Sequence, residues 1–528
     1  MRIVVAVAYV VALSAPASAQ FWADATAPCL GTTAEWTNKV DVADLDGDGD
    51  VDILLANGGN YATPGTPEAT RIFRNDGGGT CTEITQAVTG GLLGLSRVAK
   101  AIDVDRDGDL DILTGGAHHT QLKLFTRAGA TWTDASSQLP QQDTSVGDLE
   151  AGDVDGDGDL DLLLGDWGPN NPTSPTIAGG RTRLYLNNGA GTFVDATAAQ
   201  MPDVLVKMSW DVELVDVDND WDLDALIACK YCTGTLLFRN DGNGVFAPDY
   251  AALPADTNNY DFEPMDLDGD GDLDLATIND GPQLRERIFI NDGTGAFTDE
   301  SASRFETVAA NPANADDNVA VWLDVDSDGD ADLLIGSLGR DRLLINGSGV
   351  LSLSASGTPN DTQGTLGVAA ADLDGDGRLD LVQGQGESAD PDKVQLATAM
   401  VAVDTSPPSV NAGFDGAHMR ARVHDHQSPL RAHDIARVWV DDGGAGVDLV
   451  WYGEYLWSAP WANGPARVCA HDRRNNERCV DPPPEPPDED LTDHTKIGVQ
   501  SGCCDTGTAR PSLLPLAVLA LLVRKRRR

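Results

Sequence analysis

Residues 44–55 read Asp44-Leu45-Asp46-Gly47-Asp48-Gly49-Asp50-Val51-Asp52-Ile53-Leu54-Leu55. Five carboxylates alternate through the first nine residues, glycines hold the fourth and sixth places, and an apolar run follows. Charge this dense in a folded segment calls for a cation at its centre. The spacing suits a hard cation with oxygen ligands. Positions 1, 3 and 5 offer side-chain oxygens, position 7 a backbone carbonyl and position 9 a last carboxylate, while Gly49 permits a sharp turn, as in EF-hand loops. A strand-like run follows where an EF-hand has a helix, so the loop is of another kind.

The pattern recurs six times, starting at Asp103, Asp153, Asp216, Asp266, Asp324 and Asp372, at spacings of 48 to 63 residues. Positions 1, 3, 5 and 9 are Asp in all seven copies. The candidate ligands are therefore Asp44, Asp46, Asp48 and Asp52; Asp103, Asp105, Asp107 and Asp111; Asp153, Asp155, Asp157 and Asp161; Asp216, Asp218, Asp220 and Asp224; Asp266, Asp268, Asp270 and Asp274; Asp324, Asp326, Asp328 and Asp332; and Asp372, Asp374, Asp376 and Asp380. Position 7, which would give its backbone carbonyl, is Asp50, Asp109, Asp159, Asp222, Asp272, Asp330 and, in the seventh loop, Arg378. Seven copies at a near-regular period define a repeat architecture.

Each repeat has one grammar. A short apolar strand leads into the loop, as in Val319-Ala320-Val321-Trp322-Leu323, and a β-rich run leaves it. A third strand follows, such as Arg183-Leu184-Tyr185-Leu186-Asn187-Asn188, then a Gly-rich turn and a fourth strand opening on an aromatic, as in Gly191-Thr192-Phe193-Val194-Asp195. Four short strands every 50–60 residues are the signature of propeller blades. The segment Phe21-Trp22-Ala23-Asp24-Ala25-Thr26 copies the fourth-strand signature but precedes the first loop, whereas the seventh repeat lacks a clear fourth strand. Phe21–Thr26 is therefore expected to supply the outer strand of the seventh sheet and close a ring, which removes open edges.

These repeats resemble the FG-GAP/VCBS-type repeats of the integrin α-chain N-terminal propeller and its bacterial relatives. The match is carried by runs such as Ala369-Ala370-Ala371-Asp372-Leu373-Asp374-Gly375-Asp376-Gly377-Arg378-Leu379-Asp380-Leu381-Val382 and spans about residues 21–403. The resemblance implies a loop between the first and second strands of each blade that binds calcium on one rim. It says little about biological role.

The rest of the chain sets the context. With 84 acidic against 36 basic residues, net charge −48, nucleic acid is excluded as a partner. Residues 1–19 read as a secretory signal, with Arg2, the apolar stretch Ile3–Leu13 and Ala17-Ser18-Ala19 as cleavage site. Export would place the protein where calcium is abundant and disulfides persist. The eight cysteines fall in local pairs: Cys29 with Cys81, Cys229 with Cys232, Cys469 with Cys479, Cys503 with Cys504. Cys229-Lys-Tyr-Cys232 lacks the setting of a redox or zinc motif and reads as a structural disulfide.

After residue 403 the acidic loops stop. Residues 404–481 alternate as strands, and Cys469-Ala470-His471-Asp472-Arg473-Arg474-Asn475-Asn476 resembles the last hairpin of bacterial immunoglobulin-like modules, which implies a small β-sandwich. Trp439, Trp451, Trp457 and Trp461 offer a carbohydrate-stacking face or, the blander reading, sandwich core. Residues 482–502 form a Pro-rich acidic linker. In 503–528, Cys503-Cys504, an apolar run of about 12 residues and Arg524-Lys-Arg-Arg-Arg528 follow; the run is short of the roughly 20 residues a stable span needs. This tripartite end resembles sorting signals of bacterial surface proteins, most closely the myxobacterial type. It implies protease processing near Cys503 or Cys504 and anchoring at the cell surface.

The predicted architecture is thus all-β: a seven-bladed β-propeller over 20–403 followed by a small immunoglobulin-like β-sandwich. The expected cofactor is Ca²⁺, up to seven ions, since the ligands are all oxygen and no loop contains His or Cys. The fourth loop has Trp221 where the others have glycine, so its turn is expected to be strained or rearranged. No catalytic constellation stands out, and His118-His119 and His424 with His426 lack the third donor zinc needs. The expected function is adhesion or extracellular recognition of a protein or glycan at the bacterial surface. A lyase-like polysaccharide-degrading enzyme and a structural envelope component are the alternatives. Membrane contact is expected through the sorting signal alone.

Overall fold

The computed structural model describes residues 20–482, apart from 60–62, 143, 169–178, 233–235, 282–283, 314, 356–363, 387–389 and 426–433. The export signal, the linker from 483 onward and the sorting signal with Cys503 and Cys504 lie outside the described residues. The chain is all-β, and its helices are single turns such as Thr26–Cys29 and Thr85–Val88.

Seven sets of four antiparallel strands follow one another; six are separate sheets, and the third continues through Gly152 into an eight-stranded sheet with strands of 409–460. In each, the acidic loop is the hairpin between first and second strands. Position 9 opens the second strand and pairs with the residue just before position 1: Ala43 with Asp52, Ile102 with Asp111, Met265 with Asp274, Leu323 with Asp332. The second strands, for example Asp52–Asn57 and Asp332–Ser337, are buried throughout. Both of their faces are covered, so they read as continuous apolar runs rather than alternating ones.

The first strands, Thr37–Ala43, Ser96–Ile102, Val146–Gly152, Val212–Val215, Asn259–Met265, Asp317–Leu323 and Thr365–Ala371, each lie beside the next, and the seventh lies beside the first. The arrangement is propeller-like. Side-chain amides stitch neighbouring sheets: Asn75 Nδ2 donates to the Leu373 carbonyl at 2.7 Å, Asn187 to Val104, Asn240 to Val154 and Asn291 to Val217 at 2.8 Å each. The bond from Asn75 joins the first sheet to the seventh.

The seventh sheet takes its outer strand from the N-terminus, as expected. Trp22–Asp24 pairs antiparallel with Lys393–Ala397, Trp22 opposite Ala397 and Asp24 opposite Gln395. Trp22 is fully buried, and its indole Nε1 donates to the Leu379 carbonyl at 2.8 Å. Disulfides join Cys29 to Cys81, Cys229 to Cys232 and Cys469 to Cys479, the three expected pairs within the described residues.

Residues 409–480 form one further four-stranded sheet and the other half of the eight-stranded one, packed around a core that includes Met419, Ala421, Val438, Val440 and Val468. Trp457 and Trp461 pack against that core. Trp439 lies on the other sheet, edge-on to His471, and Trp451 Nε1 donates to the Glu454 carbonyl at 2.7 Å. These tryptophans are engaged in packing. The sandwich rests on the loop-bearing side of the ring. Gly453 pairs with Gly152, Asp153 N donates to the Tyr452 carbonyl at 2.7 Å, and Tyr455 is buried among Phe262, Leu226 and Leu275 with its hydroxyl donating to the Pro264 carbonyl at 2.9 Å.

Candidate metal centres

The nine-residue hairpin is shaped by two left-handed residues, not one. Position 6 has φ near +90° (Gly49 98°, Gly271 97°, Gly377 86°), and position 4 is left-handed too, even where it is Arg106 (62°), Asn219 (64°) or Ser327 (58°). Trp221 at position 6 of the fourth loop adopts φ 73°. Of the two expected outcomes, strain and rearrangement, the structure shows strain: the loop keeps the common turn and bears the steric cost, about 1–2 kcal/mol for a residue with a Cβ.

This turn folds backbone N–H groups onto the first and third carboxylates. Asp44 Oδ1 accepts from Gly47 N at 2.9 Å and its Oδ2 from Gly49 N at 3.0 Å, while Asp48 Oδ1 accepts from Asp50 N at 2.9 Å. Position 9 has a sheet role as well. Asp52 Oδ1 accepts from Asn75 N of the third strand at 2.7 Å and its Oδ2 from Leu45 N at 2.8 Å, and Asp111, Asp161, Asp274, Asp332 and Asp380 repeat both bonds.

Position 7 reaches the turn between third and fourth strands. Asp330 Oδ2 accepts from Ser348 N at 2.9 Å, and Asp109 Oδ2 from Gly129 N at 2.5 Å. A Cβ at Gly293 would lie 2.4 Å from Asp272 Oδ2 at a φ of +78°, which explains glycine there. The seventh sheet has no such turn, because its fourth strand arrives from the N-terminus. That is why Arg378 is tolerated: its Nε donates to the Val401 carbonyl at 3.0 Å.

The donor set fits a cation. Carboxylate oxygens converge in Asp44/Asp46/Asp48, Asp103/Asp105/Asp111, Asp153/Asp155/Asp161, Asp216/Asp218/Asp220 and Asp266/Asp268/Asp274. The Oδ1 atoms of Asp103, Asp105, Asp216, Asp218 and Asp372 are buried and have no hydrogen-bond partner among the described residues. Such oxygens are costly unless a ligand takes them up. Burial pushes the position-9 carboxyls to about 7 (Asp52, Asp111, Asp380) or about 8 (Asp161, Asp224, Asp274, Asp332), and Asp153, Asp266 and Asp324 at position 1 to about 6. Without a positive charge nearby, these groups resist ionisation. Oxygen-only donors in a flexible loop suit calcium.

The fourth loop differs in its surroundings. Arg422 of the sandwich, almost wholly buried, donates from Nη2 to Asp216 Oδ2 (2.9 Å) and the Asp216 carbonyl (3.0 Å), and from Nη1 to Asn219 Oδ1 (2.7 Å) and the Gly271 carbonyl (3.1 Å). Arg239 lies against Asp218 at 3.0 Å and Asp224 at 3.1 Å. Two guanidinium groups thus flank this loop while the Oδ1 atoms of Asp216 and Asp218 stay unpartnered. Arg474 meets Asp372 of the seventh loop, and Arg473 Nη1 donates to the Gly49 carbonyl of the first at 3.2 Å. The sandwich therefore docks through arginines on the acidic loops.

One set of residues went unnoticed in the sequence. Residues three and five places before most of the loops line a cavity of about 310 Å³ that also reaches Asp50 and Asp372 of the first and seventh loops and Arg473 and Arg474. On the first five sheets several are charged: Lys39, Asp41, Lys100, Glu150, Asp211, Glu213, Asp261 and Glu263. Lys39 Nζ meets Asp148 Oδ2 at 2.7 Å and Asp211 Oδ1 at 2.8 Å, and Lys100 pairs with Glu150. Burial alone would raise Asp148, but Lys39 and Lys100 hold it at about 2. Asp148, Asp211 and Asp261 also bind the next sheet, accepting from Val212 N (3.2 Å), Phe262 N (3.4 Å) and Ala320 N (2.8 Å). The available signal was charge at a fixed distance before each loop in otherwise apolar strands. Away from the loops, Trp167, Trp210 and Tyr260 cluster, with Arg97 over the Trp210 ring at 4.4 Å and Lys230 over Tyr260 at 4.3 Å.

Comparison with known proteins adds the following. No curated protein matches the sequence. Among solved structures, the chain resembles a lectin from Agrocybe aegerita that recognises non-reducing terminal N-acetylglucosamine, at 18% identity, covering 62% of this chain and 82% of that one, TM-score 0.39. It also resembles the extracellular domain of a one-component system from B. thetaiotaomicron (12% identity, 87% and 53% covered, TM-score 0.42) and an ancestral GH74 enzyme (11%, 88% and 64%, TM-score 0.39). The FG-GAP-like repeat profile matches residues 44–114, 103–164, 216–277, 266–335 and 324–382, together more than half of the chain. The loops built above fall at the start of each matched segment, and the chain belongs to the FG-GAP-like repeat family.

Proposed function

We propose that the protein is a calcium-stabilised seven-bladed β-propeller with an immunoglobulin-like module docked on its loop-bearing rim, exported and held at the bacterial cell surface, where it recognises a protein or glycan. The observation that carries the metal reading is the set of buried, unpartnered carboxylate oxygens in Asp103, Asp105, Asp216, Asp218 and Asp372, within hairpins of one design. The ions' first task is structural. They neutralise carboxylates that also hold the third strand of each sheet, so ion binding to the folded state adds stability by linkage.

Export and anchoring rest on the terminal sequences, and the three disulfides agree with an oxidising compartment. Because the sandwich covers part of the loop side, the surface left for a partner is the opposite end of the ring, where Tyr231 is 42% exposed beside Lys230. The deciding experiment is calcium content by mass spectrometry, with melting in calcium and in chelator, followed by glycan-array binding and a polysaccharide lyase assay on the loaded protein. Several bound ions and a selective glycan or protein ligand without turnover uphold the reading. A melting curve indifferent to chelator overturns the metal part; substrate depolymerisation overturns the recognition part in favour of an enzyme.

A further inference from the structure

At the end of the ring away from the loops, two residues hold a backbone conformation that side chains disfavour. Met208 (φ 61°) and Asn258 (φ 59°) are both left-handed. Strain of this kind persists only where the surrounding structure enforces it, and it gathers at functional sites. Here each strained residue supports one charged residue. The Met208 carbonyl accepts from Lys230 N at 3.2 Å, and the Asn258 carbonyl accepts from Asp280 N at 3.4 Å. The Cys229–Cys232 disulfide closes the short turn that carries Lys230 and Tyr231, and Tyr231 N donates to the Lys207 carbonyl at 3.3 Å. Backbone strain and a disulfide therefore fix the segments from which three side chains project.

Those side chains converge. Lys230 Nζ lies 3.3 Å from Asp280 Oδ2, which also accepts from the Tyr260 hydroxyl at 2.8 Å. The same ammonium stands 4.3 Å from the centre of the Tyr260 ring and 5.6 Å from that of Trp210, both buried, which form an aromatic floor. The Tyr231 ring, 6.0 Å from the ammonium, faces solvent instead, and the Asp280 side chain is 20% exposed. An open aromatic face thus stands beside a carboxylate and an ammonium whose positions are set in advance, so little ordering remains for binding to impose.

This combination selects a class of ligand. An aromatic face receives the apolar face of a ring, and a few fixed polar groups orient it. Opposite charges side by side give a net charge on the ligand no advantage. Hydroxyl groups both donate and accept, so neighbouring hydroxyls satisfy the ammonium and the carboxylate together. We propose that Tyr231, Lys230 and Asp280 form a subsite for one uncharged pyranose unit of a glycan, its C–H face on the Tyr231 ring and two hydroxyls shared between Lys230 and Asp280. The inference rests on the recognition reading and narrows it to a neutral glycan at this place.

The test uses the full mature protein in calcium and the variants Tyr231→Ala, Tyr231→Phe and Asp280→Asn, with Tyr250→Ala, at a tyrosine 68% exposed, as control. Each is applied to an array of glycans ending in neutral hexoses, uronic acids or sialic acids; the best neutral glycan is then titrated, and melting reports folding. The native protein should bind neutral ends, Tyr231→Ala and Asp280→Asn should each weaken binding about tenfold or more, and Tyr231→Phe and Tyr250→Ala should stay within about threefold. Should Asp280→Asn fail to fold, Tyr231→Ala set against Tyr231→Phe decides. Equal binding by the native protein and Tyr231→Ala overturns the proposal and leaves the recognition reading standing. Binding confined to acidic ends overturns the uncharged class. A protein ligand with no glycan binding overturns the proposal and upholds the recognition reading, whereas absence of any ligand defeats both.

Discussion

The closing strand gives the most direct test of the fold. Trp22 is fully buried among Val321, Leu343, Leu381 and Val401, so it is gripped by the sixth and seventh sheets together. Trp22→Ala removes that packing, at about 3–5 kcal/mol for a buried aromatic. It also leaves the Leu379 carbonyl without its indole donor, worth about 1 kcal/mol more. Unfolding entropy near 60 °C is about 2.1 cal/mol/K per residue, or ~0.8 kcal/mol/K for a cooperative ring of roughly 380 residues. The expected fall in melting temperature is therefore about 5–7 °C, measured by calorimetry in calcium without reductant, so that the Cys29–Cys81 disulfide stays closed. Val194→Ala, on the outer strand of the third sheet and 61% exposed, is the control and should move melting by no more than about 1 °C. If Trp22→Ala behaves like the control, or if removal of residues 20–28 leaves melting unchanged, the seventh sheet does not need the N-terminal strand and the argument for closure fails.

Other expectations concern the loops and their arginines. In calcium-free buffer the position-9 carboxyls, at about 7 to 8 in the fold against 3.8 for the free side chain, favour the protonated folded state; that stabilisation is complete below about pH 4 and is lost as pH rises through about 8. Chelated protein should thus melt lower at pH 8 than at pH 5.5, calcium should protect more at pH 8, and a chelator effect of equal size at both values would contradict the assignment. Arg422→Met leaves Asp216 buried without its partner, a loss of about 3–5 kcal/mol, and should expose the 404–408 segment to protease while the ring stays folded in calcium. Gly293→Ala forces a Cβ against Asp272 at positive φ and should lower melting by a few degrees, whereas Gly416→Ala, with open space around it, tests the φ cost alone.

The loops were the most legible feature because their chemistry is local: alternating Asp and a tight turn need only nine residues. The repeat then revealed four strands per unit, and the misplaced fourth-strand copy at Phe21–Thr26 told where the ring meets itself. The Cys469–Cys479 and Cys229–Cys232 pairs were legible for the same reason, since each spans a single turn. Trp221 was read in part. The missing glycine left strain or rearrangement open, and neighbouring structure, with Tyr452 and Arg420 bonding its carbonyl, decides for strain by holding the same left-handed conformation. Position 4 was passed over because Arg106, Asn219 and Ser327 gave no sign of needing φ > 0.

What the sequence by itself determined is whatever repeats within reach of one hairpin: the acidic loop, the strand order of each unit, the all-β class and the closing strand. The tertiary structure decided what depends on separate units meeting. Arg378 is explained once the seventh sheet is seen to lack a third-to-fourth turn. Arg422 reaches Asp216 across 206 positions, and Glu213 and Glu263 share a cavity although 50 residues separate them. Sequence patterns report the period of a strand or a turn. They do not report which side chains a ring of sheets and a docked sandwich bring face to face, and there burial, charge pairing and the cost of an unpaired carboxylate do the selecting.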